Sequence, residues 1–490
     1  MESQDRDKTQ TLESAVRHHN AGRLSEADGI YQHILKADPN NADALHLLGV
    51  LNHQTGKSDV AVGLISKALA INPAYAEAHS SLGAIYRSLA KLDEAVACYK
   101  KALSVNPDYG DAHYNLGNAL LELGQLDEAV CYFQKNLSLT PDNAKAHHNL
   151  GNAYKELGRV DEAMQCCLRA AASDANYAEA YSNLGILQLL SGDFLNGWEN
   201  YARRWQTVDF SKSRRAYQQP LWDGRDFHGK TLLLYPEQGL GDFIQFARYV
   251  PMVAQKGGNV TLEVPSALYH LYAHLEGADV VVQTGQSPGP FDLHAPLMDI
   301  PGLLGTTLQT IPPWQGHLQV PGDLVEKWKT RLGAYRGLRV GMVWAGNPGH
   351  KNDIRRSIEP SLLKPLCHLN DVKIFSLQVG RDGEVVENFD SNVIDLSADL
   401  TSFSETAAAM MNLDLIISVD SAPAHLAAAL RRPIWTLLPF APDWRWLLER
   451  DDSPWYPDMR LFRQNRRDDW QAVIERVGLE LVTLAENAQY

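Results

Sequence analysis

Residues 110–141 read GDAHYNLGNALLELGQLDEAVCYFQKNLSLTP, and this stretch decides the N-terminal fold. Gly117 is the small residue of a first apolar-periodic run. The turn tetrapeptide Gln125-Leu126-Asp127-Glu128 follows, then Ala129, Phe133 and finally Pro141. Two helices joined by a tight turn fit this order. Small residues let antiparallel helices approach, and proline ends the second helix because its ring blocks further backbone bonding. The aromatic is expected to fill the gap to the neighbouring hairpin.

Outward from this stretch the pattern repeats every 34 residues. The glycine recurs at Gly49, Gly83, Gly151 and Gly185, with Ala15 one period upstream. The alanine recurs at Ala27, Ala61, Ala95 and Ala163, the aromatic at Tyr31, Tyr99 and Tyr201, and the proline at Pro39, Pro73 and Pro107. Lys91-Leu92-Asp93-Glu94 and Arg159-Val160-Asp161-Glu162 repeat the turn. Six repeats start near Lys8, Ala42, Ala76, Gly110, Ala144 and Ala178, and the last departs with Gly197 at its second small site. Period and markers resemble the tetratricopeptide repeat, an α-solenoid unit. The array is expected over residues 8–205, holding a protein or peptide on its concave face.

Asn115, Asn149 and Asn183 precede Gly117, Gly151 and Gly185 by two residues, and Asn118 and Asn152 lie three residues further on the same helix face. An amide both donates and accepts, so it can pair with an extended peptide backbone. The series is similar to the asparagine ladder in the repeats of eukaryotic O-GlcNAc transferase, and the resemblance implies that these five residues grip an acceptor chain. The competing reading is that they are ordinary repeat residues.

The period stops between Trp198 and Trp222. Trp198, Tyr201, Arg203, Arg204, Trp205, Arg214, Arg215, Tyr217 and Trp222 crowd this junction. Flexible linkers are rich in Gly, Ser or Pro, so an aromatic docking segment is expected, bounded at residues 206–227.

Composition narrows the function classes. A formal charge of −14 opposes broad affinity for nucleic acid or anionic membrane. The polar start, Met1 to Gln10, lacks the apolar core of a secretory signal, and the longest apolar runs are too short to span a bilayer. Five cysteines, four of them within the repeats, point to packing residues in a reducing compartment, hence a cytoplasmic location.

After His228 short β-rich runs alternate with helical stretches, which implies parallel sheets covered by helices. Strands are expected at 231–235, 260–264, 280–283, 340–344, 373–378, 415–419 and 434–438. The Pro/Gly-rich stretch 285–322 divides the region into two Rossmann-like lobes, 228–325 and 335–485. Ligands of such sheets bind beyond the carboxyl ends of the strands, and three polar segments fall there. Glu237-Gln238-Gly239-Leu240-Gly241-Asp242 permits a tight turn and close ligand approach. It lacks the third glycine of a dinucleotide fingerprint, and Asp242 alone also reads as a helix cap. Trp344 to Ser357 places Lys351, Arg355 and Arg356 where a diphosphate fits, or forms a solvated basic loop. Asp420-Ser421-Ala422-Pro423-Ala424-His425 opens a helix whose N-terminus favours an anion. His425 also reads as a packing residue.

Together these three segments resemble glycosyltransferase family nine, the heptosyltransferases, over residues 228–480. The resemblance implies a GT-B fold of two Rossmann-like lobes. It implies Asp242 as base, and Gly239, Gly241, Lys351, Arg355, Arg356, Asp420, Ser421, Ala422 and His425 around the nucleotide-sugar. The chain departs in its short first lobe, in Ser-Ala-Pro where the family has Thr-Gly, and in carrying the repeats. The expected activity is inverting transfer of a sugar to a hydroxyl, with a polypeptide acceptor. No metal is expected, since the one Asp-x-Asp, Asp5-Arg6-Asp7, lies in a polar tail. No cofactor is expected beyond the nucleotide-sugar as co-substrate. The alternative is an interaction scaffold carrying a non-catalytic transferase-like domain.

Overall fold

The structure, a computed structural model, describes residues 2–314, 318–349, 352–380 and 392–487, with residues 2–10 as backbone alone. The chain forms an N-terminal helical solenoid and a C-terminal parallel-sheet α/β region. It divides into two compact units, residues 1–180 and 181–490.

In the first unit the hairpins pair Glu2–Asn20 with Leu24–Ala37, Ala42–Gln54 with Ser58–Ile71, Ala76–Ser88 with Leu92–Val105, Gly110–Glu122 with Leu126–Leu139, and Ala144–Glu156 with Val160–Ser173. From the second hairpin onward the first helices begin where the period places them, whereas the first begins at Glu2, ahead of the expected Lys8. The marker glycine has a sharper reason than helix approach alone. A Cβ on Gly83 would stand 2.8 Å from the Tyr99 ring, and one on Gly117 would stand 2.7 Å from Phe133. The aromatic therefore packs onto the glycine of its own hairpin, which is more specific than the expected filling towards a neighbour. His79, His113 and His147 repeat with the same period, and each Nε2 bonds the carbonyl of Pro73, Pro107 or Pro141. This tie across the turn was not read from the sequence.

The sixth hairpin, Ala178–Leu190 with Phe194–Tyr201, groups with the α/β unit. Its second helix and the junction are seated on the sheets' loops. Trp198 Nε1 donates to the Thr306 carbonyl at 2.9 Å, and its ring meets Trp444 edge-on at 5.3 Å. Phe194 stacks on Trp455. Arg204 bonds Glu237 and Asp299, each at 2.5 Å, and Arg215 bonds Glu263.

The α/β part holds two all-parallel sheets. The first contains β1 (Thr231–Tyr235), β2 (Asn259–Val264), β3 (Val280–Gln283) and β4 (Leu293–Pro296), in the order β3-β2-β1-β4. The second contains β5 (Leu338–Val343), β6 (Val372–Ser376), β7 (Val393–Asp395), β8 (Leu415–Val419), β9 (Ile434–Leu438) and β10 (Met459–Arg463), in the order β10-β9-β8-β5-β6-β7. Read from its own first strand, the second sheet has the doubly wound Rossmann order, and the first sheet has its first four strands. Both order reversals define switch points, between β1 and β4 and between β5 and β8. Leu232, Leu233 and Leu234 are fully buried, as parallel strands covered on both faces require. The helix Trp470–Asn487 buries Val473, Ile474 and Val477 in the core of the second sheet.

β4, β7 and β10 were not foreseen. β4 lies inside the Pro/Gly-rich stretch 285–322 that divides the two expected lobes. It is four residues long and ends in proline, yet pairs with β1 from Leu232↔Leu293 to Tyr235↔Pro296. The helical stretch between β1 and β2 is divided. Leu240–Phe246 and Val250–Ala254 are α-helical, with a 3₁₀ turn at Ala247–Tyr249 and Pro251 in the first turn of the second piece.

Candidate active site

The three polar segments sit at the two switch points. The glycine loop follows β1, the basic loop follows β5, and Asp420–His425 follows β8. Gly239 is the residue before the helix Leu240–Phe246, and its N–H donates to Asp242 Oδ2 at 2.7 Å. Asp242 thus closes the helix start from its third position rather than from the cap itself. Its other oxygen pairs with Arg445 of the second lobe.

The two lobes meet at this loop. A Cβ on Gly241 would stand 2.8 Å from Cδ2 of His425 and 3.5 Å from Cα of Ala422. Only a glycine lets the start of one helix reach the start of the other, Ala422–Ala429. From the basic loop, Arg356 Nη1 donates to the Asp420 carbonyl at 3.0 Å and Nε reaches Asp353 at 3.4 Å. Ser421 caps its helix by backbone position, with Oγ near the Val419 carbonyl and Ser418 Oγ, both at 3.1 Å.

Charge is concentrated here. Burial, then the neighbouring Asp443, pushes the Asp420 carboxyl up to about 6. Burial and the cations Arg445, Arg248 and Arg356 hold His425 well below the usual imidazole range, so its ring is neutral. Burial pushes Glu237 up to about 7 against the pull of Arg204, with Asp299 adding to the rise.

The structure brings Gly239, Gly241, Asp242, Arg356, Asp420, Ser421, Ala422 and His425 together. Three expectations change. His425 is 4 % exposed, bonds Tyr456 Oη through Nδ1 at 3.0 Å and stacks on Trp446, so it packs behind Gly241 rather than facing a ligand. Arg356 braces the β5 and β8 loops against each other rather than standing free for a diphosphate. Asn118 is 6 % exposed and accepts from Asn149 Nδ2 at 2.7 Å, so these two amides engage one another. Asn152 meets His148 at 3.1 Å, and Asn115 and Asn183 are half-buried. Arg355 is half-buried, and Lys351 lies outside the described residues.

Arg445 was missed. It is 7 % exposed and bonds Gln245 at 2.8 Å, Asp443 at 2.7 Å and Asp242. The signal was Asp443-Trp444-Arg445-Trp446, a cation between two tryptophans beside a carboxylate. Glu237 lies in the glycine loop and its partner Arg204 in the junction, and no local pattern pairs them. Among the described residues no group of three His, Cys, Asp or Glu could hold a metal ion, and no helix is long and apolar enough to cross a membrane.

The TPR repeat profile matches residues 83–124, 117–158 and 151–192, and a further tetratricopeptide repeat profile matches 30–61. The profile of glycosyltransferase family 9 (heptosyltransferase) matches residues 383–443, which include Asp420 to His425. Protein FlbA of Caulobacter vibrioides is 28 % identical over 313 residues, 58 % of this chain and 52 % of that protein. The chain thus spans about half the length of that curated relative. Among solved structures, MamA is 28 % identical over 34 % of this chain and 96 % of its own, with a TM-score of 0.31. YrrB, described as a TPR protein with an unusual peptide-binding site, is 22 % identical over 38 % of this chain and 93 % of its own, with a TM-score of 0.33. Tetratricopeptide repeats form the N-terminal region of this chain, and a glycosyltransferase family 9 domain lies near its C-terminus.

Proposed function

We propose that the protein transfers a sugar from a nucleotide-sugar to a hydroxyl of a polypeptide held by its repeats. The observation that carries this reading is the meeting of Gly241 with His425 and Ala422. It sets the carboxylate of Asp242 beside the start of the helix Ala422–Ala429, between two switch points. A helix N-terminus offers unpaired N–H groups to a diphosphate. Asp242 uses one site on each oxygen, for Gly239 and Arg445, and a carboxylate has about four. The remainder can accept the proton of an attacking hydroxyl as the C1–O bond breaks, with inversion at the anomeric carbon. Arg445, Arg355 and the helix start supply the charge that stabilises the leaving diphosphate, so no divalent ion is required. The five free thiols suit a reducing, cytoplasmic setting.

The test incubates the full chain with UDP-, ADP-, GDP- and CMP-sugars and a cell-extract polypeptide pool, with and without EDTA. Labelled polypeptide is expected with one donor, unchanged by EDTA, with the product anomer opposite to that of the donor by NMR. Donor binding without transfer from any donor would instead support the scaffold reading.

A further inference from the structure

We infer that the first lobe carries a second binding site, for a small carboxylate with an apolar body, distinct from the switch-point site. A cavity of about 390 Å³ lies between the helical segment Ala247–Gln255, Leu275 and the chain Gln309–Trp314. Its walls include the apolar side chains of Met252, Leu275, Ile311, Pro312 and Trp314, together with Arg248. Its size is within the range of small-molecule sites, roughly 300–1,000 Å³.

Arg248 is the feature that selects the ligand. It is 4 % exposed. Its Nε donates to the Gln245 carbonyl at 2.8 Å and Nη1 to the Trp455 carbonyl at 2.6 Å, while Nη2 makes no hydrogen bond. Among the described residues no carboxylate pairs with it. Aromatic faces surround it instead, Tyr456 at 4.6 Å, Trp455 at 5.6 Å and Trp314 at 5.7 Å. A buried guanidinium without a counter-ion is costly, and an anion arriving from the cavity offsets that cost. The apolar walls exclude a bare phosphate or sugar as the best fit, because neither would cover them. Trp314 is fixed in place by its Nε1 on the Ala429 carbonyl.

The probe is octanoate, with octanol as the uncharged control of the same apolar body. Calorimetry on the full chain is expected to show one octanoate per chain and binding at least about tenfold tighter than octanol, since the charged contact is the stronger one. Met252→Trp, which fills the cavity and leaves Arg248 intact, is expected to abolish octanoate binding while its circular dichroism stays unchanged. Equal binding of octanoate and octanol, no binding of octanoate, or full binding by Met252→Trp would each overturn the proposal. The comparison of the two probes on the unaltered chain needs no variant to fold. None of these readouts depends on sugar transfer.

Discussion

Arg204 and Glu237, 33 residues apart in sequence, are bonded at 2.5 Å, and the same guanidinium reaches Asp299 at 2.5 Å. Arg204 and the Glu237 side chain are each 1 % exposed. One buried cation thus serves two carboxylates, and it ties the end of the last hairpin to the loop that ends in Asp242. Arg204→Met leaves both carboxylates uncompensated. Removing one partner of a buried ion pair costs about 3–5 kcal/mol. All 11 tryptophans lie in residues 198–470, so their fluorescence in urea follows the second unit alone and reads this loss.

Glu237 also predicts a pH dependence. Its folded pKa, raised to about 7, exceeds the value of 4.5 expected when unfolded. The folded state therefore holds the extra proton between these values, and stability is lost as pH rises from 4.5 through 7. The second unit should be weaker at pH 8 than at pH 5 by on the order of 2 kcal/mol. Glu237→Gln should remove most of that slope in the same urea assay.

The repeat array should respond in the opposite sense. Burial lowers His148 to about 4 and lowers His147 as well. A histidine kept neutral when folded binds its proton only on unfolding, so stability is present above 6.5 and lost as pH falls towards 4. A loss on the order of 1–2 kcal/mol is expected. Thermal melts of the full chain by far-ultraviolet circular dichroism should show the helical transition falling in this window. His148→Leu should flatten the fall, and an unchanged slope would count against this assignment.

Substitution of Asp242 by Asn keeps the bond from Gly239 and removes the base. Transfer should fall by about 10²–10⁴-fold while donor affinity measured by calorimetry stays within about twofold. Arg445→Lys keeps a cation but not the fork that holds Asp242, Asp443 and Gln245 together. It should lower the rate by about tenfold or more with little change in fold, measured in the same transfer assay.

Gly117→Ala tests the repeat geometry. The added methyl would meet the fully buried Phe133 ring at 2.7 Å, and overpacking of this kind costs about 1–3 kcal/mol. The helical melt should fall, while tryptophan fluorescence in urea stays unchanged.

Much of the fold was legible because its signals are local. The hairpins start at Ala42, Ala76, Gly110 and Ala144 as the period requires, since each hairpin needs its glycine opposite a side chain of its own second helix, Ile65, Tyr99, Phe133 or the Cys166–Cys167 pair. The strands at Thr231–Tyr235, Val280–Gln283, Leu415–Val419 and Ile434–Leu438 are β-rich runs bounded by turns. β4 was hidden because Leu-His-Ala-Pro becomes a strand only when β1 supplies a partner. The loops carrying Asp242 and Asp420 were legible from their place after strands. The partners Arg445, Arg204 and Tyr456 were not, because a long side chain that is buried and paired looks in sequence like one on the surface.

The sequence by itself determined the repeat period, the change of pattern at the junction, and the residue types at the ends of β1, β5 and β8. These depend on spacing along the chain and on backbone chemistry. Only the tertiary structure decided that Gly241 touches His425, that Arg356 holds the Asp420 carbonyl, and that Arg204 and Arg445 hold the carboxylates on either side of the glycine loop. Those pairings join residues as many as 203 positions apart. They exist because two separate sheets fold so that their switch points face, and no local pattern encodes that meeting.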